Sequence, residues 1–596
     1  MRITHLTAAS LLSSLGHASP LSQMSRFLEI ETRQSPGSYF AITGATGGVY
    51  PRLEIRELEK TGEMWNLYLL AMISFQGTNQ DDIASYYQIA GIHGMPWVPW
   101  DGVAGSINDD KNTNQLGYCP HANLLFGTWH RPYLALFEQQ LQKHATNIAN
   151  QFASPAKSTY QAAAIKLRIP FWDWAKALPT SEPVLPTAVT SEKISVTFPN
   201  GTKASVDNPL FDYNFHPLDH SQINGTGCPV TGTQNGPVGG LPEVCDNDLM
   251  TVRNGVNASD HPGLDKKLRN ILPSQRTGVY AILSQWQHFD SFSNQGNCGP
   301  GGGAGTLEAV HNPIHTQMWP GHMSPASVAA FDPIFWMHHA NVDRQMALYQ
   351  VVFPETYVEQ CPADTPTYSI NRGDLLDANS PLTPFHKNAK GDWWTSANSR
   401  NTRDMGYTYP ELASNPSNST LVKQIKTLYG PATGFAAKYK RQNHLPSRST
   451  KQTRYLAKVE FPVYGLNAGA PYNVLMFLGN VSSDSKTWLG SEAFVGLASS
   501  LGGVNMRSEM VATATVDLND KIEKKIGSKE LTVEGTVEYL RANLRWRMEL
   551  GENEIPKKEV EGIKVVLIST EVEVAEKDDV FDRWVGGFVE HGEVDI

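Results

Sequence analysis

Residues 308–343 read EAVHNPIHTQMWPGHMSPASVAAFDPIFWMHHANVD, and this stretch decides how the rest of the chain is read. His311 and His315 stand four apart, which places them one above the other on a single helical face. A third imidazole is on offer from His338 or His339, on the apolar segment that opens with the turn-like pair Asp332-Pro333. Three neutral imidazoles with no acidic group among them make a donor set for zinc, copper or iron. A second cluster lies upstream: His93 sits in AGIHGMPW, and CPHANLLFGTWHRPYLALFEQ carries His121 and His130. In both clusters a phenylalanine precedes the last histidine by four residues, Phe126 before His130 and Phe335 before His339. That parallel selects His339 over its neighbour His338.

Around these clusters stand PRLEIREL (51–58), PFWDW (170–174) and Tyr407-Thr408-Tyr409. With them, residues 50–410 resemble the type 3 copper proteins (tyrosinases, catechol oxidases and haemocyanins), and most of all the fungal tyrosinase branch. The resemblance implies one copper ion on His93, His121 and His130 and a second on His311, His315 and His339. Two such trios bind copper without adding negative charge, which favours Cu(I) and its reaction with O2. A separation of roughly 3.5–4 Å is expected of a two-metal site. Glu308 and Asp332 are not ligands in that pattern, whereas a dinuclear zinc hydrolase usually bridges its ions with a carboxylate.

The same resemblance extends to the residues around the metals. It implies a thioether joining Cys119 to His121. It places Glu308 and Asn312 around a water that takes the phenol proton; a purely structural Glu–Asn pair at a helix start is the competing reading. Ala326 falls at the gate over the first copper, with Met323 and Phe335 in the substrate pocket. Phe126 and Phe335 are expected to stack on ligand imidazoles or to be plain core aromatics, and His338 to make a hydrogen bond behind the ligands. The activity implied is hydroxylation of monophenols to o-diphenols and oxidation of o-diphenols to o-quinones by O2. A catechol oxidase without hydroxylation and a haemocyanin-like oxygen carrier are the alternatives. A C-terminal lid is implied too, with Phe494 as the plug over the copper entrance, Trp488 as second candidate, and activation by a processing protease.

At 596 residues the chain is too long for one ordinary core and divides into two domains. A net charge of −10 with no long basic run disfavours nucleic acid, and no apolar stretch is long enough for a membrane span. Residues 1–18 read as a secretory signal, the alternative being a disordered cytosolic N-terminus. Acceptor triplets at Asn200, Asn224, Asn257, Asn418 and Asn480 fit secretion. With Cys119 assigned to the thioether, Cys228, Cys245, Cys298 and Cys361 are left to form two disulfides outside the cell, or all five are reduced thiols inside it.

Helical periodicity runs through 51–74, 81–94, 128–152 and 278–295, while 176–260 is rich in Pro, Gly, Asn and Thr and reads as long surface loops. The glycine run before Glu308 lacks a Walker lysine and is not a phosphate loop. Metal-binding helices of this kind imply a mainly α catalytic domain over 19–410, a four-helix bundle holding the site in its core. Residues 411–453 form a linker with a short helix and a cleavage point near Lys440-Arg441, or a solvated linker that is never cut. RYLAKVEFPVY, YNVLMFLGNV, EMVATATVDL, TVEYLRANLRWRMEL and KVVLISTEVEV follow, alternating and rich in β-branched residues. Residues 454–596 therefore read as a β-sandwich.

Overall fold

The computed structural model describes residues 37–106, 116–223, 249–296, 305–430, 451–463, 466, 470–502, 510–526 and 532–594. The proposed signal, the Lys440-Arg441 pair, Asn224, Cys228, Cys245 and Cys298 lie outside them. Among the described residues, no helix is long and apolar enough to cross a membrane.

Four helices build the central bundle: α1 (Phe126–Ala149), α2 (His261–Ser284), α3 (Leu307–Thr316) and α4 (Ile334–Val352). Their starts follow from local chemistry. The Thr306 hydroxyl accepts from Ala309 N–H to cap α3, and Asp260 caps α2 through Gly263 N–H. Pro333 precedes α4, where the Asp332 carboxylate accepts from Ile334 N–H at 3.0 Å. α4 is buried on almost every face, which marks it as the central element. α3 packs on α1, α2 and α4, and the helix Glu63–Gln76 covers α1 from outside.

Charges buried inside this apolar bundle fix its register. The Asp343 carboxylate on α4 accepts from Arg131 Nε at 2.7 Å, Arg52 Nη1 at 3.2 Å and the hydroxyls of Tyr407 at 2.6 Å and Tyr409 at 2.5 Å. Arg52 also bonds Glu138 on α1, through Nε at 2.9 Å. One carboxylate thus ties the residue after His130 to the helix that carries His338 and His339. It also explains why PRLEIREL and Tyr407-Thr408-Tyr409 flank the metal motifs: Tyr50–Pro51 and Tyr407–Thr408 pair as two short parallel strands beside the hub. Asp332 is likewise committed, accepting from Arg253 Nε and Nη2 at 2.6–2.9 Å.

The C-terminal domain is two stacked antiparallel sheets. Its strands are β1 (Lys451–Pro462), β2 (Tyr472–Leu478), β3 (Phe494–Ser500), β4 (Val511–Asp517), β5 (Leu544–Leu550), β6 (Asn553–Ile555), β7 (Lys564–Glu573), β8 (Arg583–Trp584) and β9 (Val589–Glu593). One sheet runs β3-β2-β5-β6, the other β4-β1-β7-β8 with β9 also paired to β7. Every residue of β2 is buried. Val474, Met476 and Leu478 face the sandwich interior, whereas Leu475 and Phe477 join the core of the central domain. The sheet containing β2 is therefore a middle layer, packed on both faces, and it lies against α2 and α3.

Several elements differ from the sequence reading. The run 51–74 is not one helix: it breaks at Gly62 into Ile55–Leu58 with a following turn and Glu63–Gln76. TVEYLRANLRWRMEL is not one strand: Val533–Asn543 is a helix capped by Thr532, and only Leu544–Leu550 is β5. The run Glu538–Asn543 contains Glu, Leu, Arg and Ala, good helix formers that outweigh the alternation. The span 176–260 holds a β-hairpin, Lys193–Thr197 with Lys203–Asp207, besides loops. The helix expected over 278–295 begins at His261 and ends at Ser284, with a separate turn of helix at Phe289–Ser293.

Asp343→Ala removes the carboxylate that two buried guanidinium groups share, leaving Arg52 with Glu138 alone, and is expected to destabilise the fold by about 3–5 kcal/mol in denaturant titration. Glu549 on β5 gives a pH test. Burial pushes its carboxyl from 4.5 up to about 8, against the opposing pull of Lys267 on α2. A carboxyl held neutral in the folded chain contributes stability that is intact below pH 4.5 and is lost as pH rises through about 8. Melting temperature should fall over that interval, and Glu549→Gln should flatten the fall.

Candidate metal centre

The bundle and the loops around it bring six of the predicted histidines together. The loop after the helix Tyr86–Gly91 carries His93, and the loop before α1 carries His121; α1 carries His130, α3 His311 and His315, and α4 His339. His130 and His339 stack at 4.1 Å between ring centroids, so the two clusters face one another across the bundle.

Each cluster is oriented by hydrogen bonds at Nδ1. His93 Nδ1 donates to the Ala326 carbonyl at 2.7 Å, His130 Nδ1 to the Phe126 carbonyl at 2.8 Å, and His315 Nδ1 to the Met323 carbonyl at 2.6 Å. His311 Nδ1 donates to Asn312 Oδ1 at 2.8 Å. With Nδ1 protonated, Nε2 carries a lone pair in the neutral ring. Burial keeps the rings neutral, pushing His130 down to about 3 and His315 to about 4, and His93, His311 and His339 well below their ordinary value.

Those lone pairs converge. His315 Nε2 lies 2.9 Å from His311 Nε2, which lies 3.3 Å from His339 Nε2. The buried His93 Nε2 has no hydrogen-bond partner among the described residues. Two acceptor nitrogens at 2.9 Å repel each other unless a cation stands between them. Uncharged nitrogen donors of this kind fit copper.

The phenylalanines bridge the clusters. Phe126, on the helix of His130, has its ring 5.1 Å from His311, and Phe335, on the helix of His339, lies 4.9 Å from His93 and 4.2 Å from His339. Ala326 and Met323 reach the imidazoles through their carbonyls, which hold the rings in one tautomer.

Other predicted residues stand differently. Among the described residues His338 has no hydrogen-bond partner at either ring nitrogen, contrary to the role expected of it; it is fully buried and stacks on His311 at 4.8 Å. Its donor atom groups with those of His311, His315 and His339, all within 4.8 Å of one another. In the first cluster the atoms that group in this way are those of His93, Cys119 and His130. The free Cys119 Sγ lies 3.3 Å from His130 Nε2 and 3.8 Å from His121 Nε2, its thiol pushed up by burial. Cys361 is disulfide-bonded.

Glu308 and Asn312 are held by protein groups. The Glu308 carboxylate accepts from Ala122 N–H at 2.7 Å and Gln295 N–H at 2.9 Å, and burial pushes its carboxyl up to about 7. Asn312 donates to Gln295 Oε1 at 2.7 Å and to the Ser499 carbonyl of the C-terminal domain at 3.2 Å. Phe494 corrects the plug assignment: its ring packs on Phe477 at 6.0 Å, and Trp488 packs on the same ring, so both belong to the interface with the central domain rather than to the imidazoles. Among the described residues, the side chains of the C-terminal domain bonded to α3 are Asn473 and Ser499, which meet Thr316 Oγ1 at 2.8 and 3.3 Å.

Helical scaffold and donor set together define a dinuclear copper protein of the type 3 class. Residues 83–352 match the family model for the common central domain of tyrosinase, and residues 454–567 the one for the tyrosinase C-terminal domain. A tyrosinase of Podospora anserina is 36% identical over 433 residues, covering 70% of this chain and 72% of its own. A tyrosinase of Neurospora crassa is 30% identical, covering 90% and 95%. A solved mushroom tyrosinase, described in latent and active forms, superimposes with a TM-score of 0.78 at 26% identity over 94% of this chain and 99% of that one. The chain belongs to the tyrosinase family, and it is an oxidase of tyrosinase type that uses two copper ions.

His339→Ala is expected to lower the copper content from two ions per chain toward one, measured by elemental analysis. His338→Ala should leave it at two; the reverse pattern would make His338 the ligand.

Proposed function

We propose that the enzyme hydroxylates monophenols to o-diphenols and oxidises o-diphenols to o-quinones, and that it is latent until its C-terminal domain is cut away. The observation that carries this reading is the pair of facing histidine clusters beneath a β-sheet that bonds directly to the histidine helix α3. Copper, when bound, supplies the redox couple and the open positions for O2.

The chain's own residues do the rest. Six neutral imidazoles hold the metals without charge, here assigned as His93, His121 and His130 for one ion and His311, His315 and His339 for the other. The half-buried Ala326, next to His93, presents only a methyl group at the gate and leaves room for a bulky ring. The phenol proton passes to a water placed by Glu308 and Asn312; each Glu308 oxygen accepts one N–H and keeps a further lone pair. A thioether between Cys119 and His121 would fix the more exposed of the histidines. The engagement of Glu308 and Asn312 by Ala122, Gln295 and His311 favours the narrower alternative, a catechol oxidase that performs the second reaction alone.

Secretion is part of the proposal. Asn200, Asn257 and Asn480 are exposed, as glycan acceptors must be. Asn418 is less suited, since its side-chain amide donates to the Val352 carbonyl at 2.8 Å.

Assays of the full chain with a monophenol and a catechol, before and after proteolysis at Lys440-Arg441, test the reading. Both activities should rise on cleavage. Turnover of the catechol alone would leave the oxidase without the hydroxylase, and unchanged rates after clean removal of 454–596 would reject latency. Ala326→Phe should lower kcat/KM for bulky phenols by about 10-fold or more, with copper content unchanged.

A further inference from the structure

Gln295 lies at the end of the turn that follows Phe289–Ser293 and is almost fully buried. Its backbone N–H donates to Glu308 and its Oε1 accepts from Asn312 Nδ2 at 2.7 Å. Its own Nε2 is buried with no partner among the described residues. A buried amide that leaves one group unsatisfied carries a desolvation penalty, which calls for a compensating role.

Asn312 shows what that role is. An asparagine amide can present either oxygen or nitrogen to His311. If nitrogen faced the ring, His311 Nδ1 would become the acceptor, the ring proton would move to Nε2, and the metal-facing lone pair would be lost. What holds the oxygen toward His311 is a pair of acceptors on the far side, Gln295 Oε1 at 2.7 Å and the Ser499 carbonyl at 3.2 Å. The shorter of the two comes from the central domain itself; the other leaves when the C-terminal domain does.

We propose that Gln295 is a positioning residue for the copper site: through Asn312 it holds His311 in the tautomer whose Nε2 is free to bind metal. This rests on the dicopper reading. The side chain is the working part, because the bond to Glu308 uses the backbone and survives substitution. Glu308 and Gln295 therefore separate cleanly by mutation.

The test compares wild type, Gln295→Met and Gln295→Glu in the full-length chain. Met matches the side chain in size but offers no comparable acceptor, and Glu keeps an acceptor oxygen. One readout is copper per chain under competition from a Cu(I) chelator. The other is the ¹⁵N spectrum of the metal-free protein labelled at histidine. His311 should be protonated at Nδ1 in wild type and in Gln295→Glu, and mixed in tautomer in Gln295→Met. Affinity for one of the two coppers should fall about 10–100-fold in Gln295→Met and stay near wild type in Gln295→Glu. Wild type protonated at Nε2 of His311 would overturn the proposal without any variant. So would two-copper wild type matched by Gln295→Met, or equal losses in both variants with no tautomer change. Wild type unable to hold two coppers would instead overturn the dicopper reading beneath it.

Discussion

Protonation at Nδ1 is the constraint on which the centre depends. Four of the imidazoles give that proton to an oxygen of the protein, three of them backbone carbonyls at Phe126, Met323 and Ala326. A carbonyl accepts and never donates, so these rings have one neutral tautomer open to them, with the lone pair directed inward. The bundle then brings the Nε2 lone pairs of His311 and His315 within 2.9 Å of one another. Cationic rings are disfavoured by burial, which leaves a metal ion as the partner the geometry requires.

Bringing α1, α3 and α4 to that spacing takes a second device. Asp343 sits one helical turn beyond His339, and Arg131 directly follows His130, so their 2.7 Å bond locks the two histidine helices at the level of the site. Arg52, Tyr407 and Tyr409 close the hub from both ends of the central domain. Four buried charges at one point are costly, and they hold because each is matched. The C-terminal domain joins the same structure from the other side: its middle sheet carries the polar row Ser499, Asn473 and Glu549, which pair across β3, β2 and β5 opposite α3.

Much of the site was legible in the sequence. HxxxH spacing on a helix and the repeated Phe-x-x-x-His placed His130, His311, His315 and His339 on the elements that carry them, and the apolar run after Asp332-Pro333 became α4. Arg131 and Asp343, charged residues inside apolar helices, carried a signal of the hub that periodicity does not weigh. What stayed hidden depends on distant contacts. Gln295 sits at the end of an ordinary polar run, and nothing local says that Asn312 will face it. His338 differs from His339 only by rotation about α4, so adjacency could not tell which nitrogen meets the others. Phe494 was assigned to the copper entrance, but β2 and β3 turn it with Phe477 into the domain interface. The helix Val533–Asn543 was hidden by alternation that continues into β5, where only tertiary packing decides the break.

Anomalous diffraction at the copper edge from crystals of the copper-loaded full chain tests the centre most directly. Two peaks are expected, one within bonding distance of Nε2 of His93, His121 and His130 and the other of His311, His315 and His339. A single peak, or a first metal held by Cys119 in place of His121, would contradict the two facing trios.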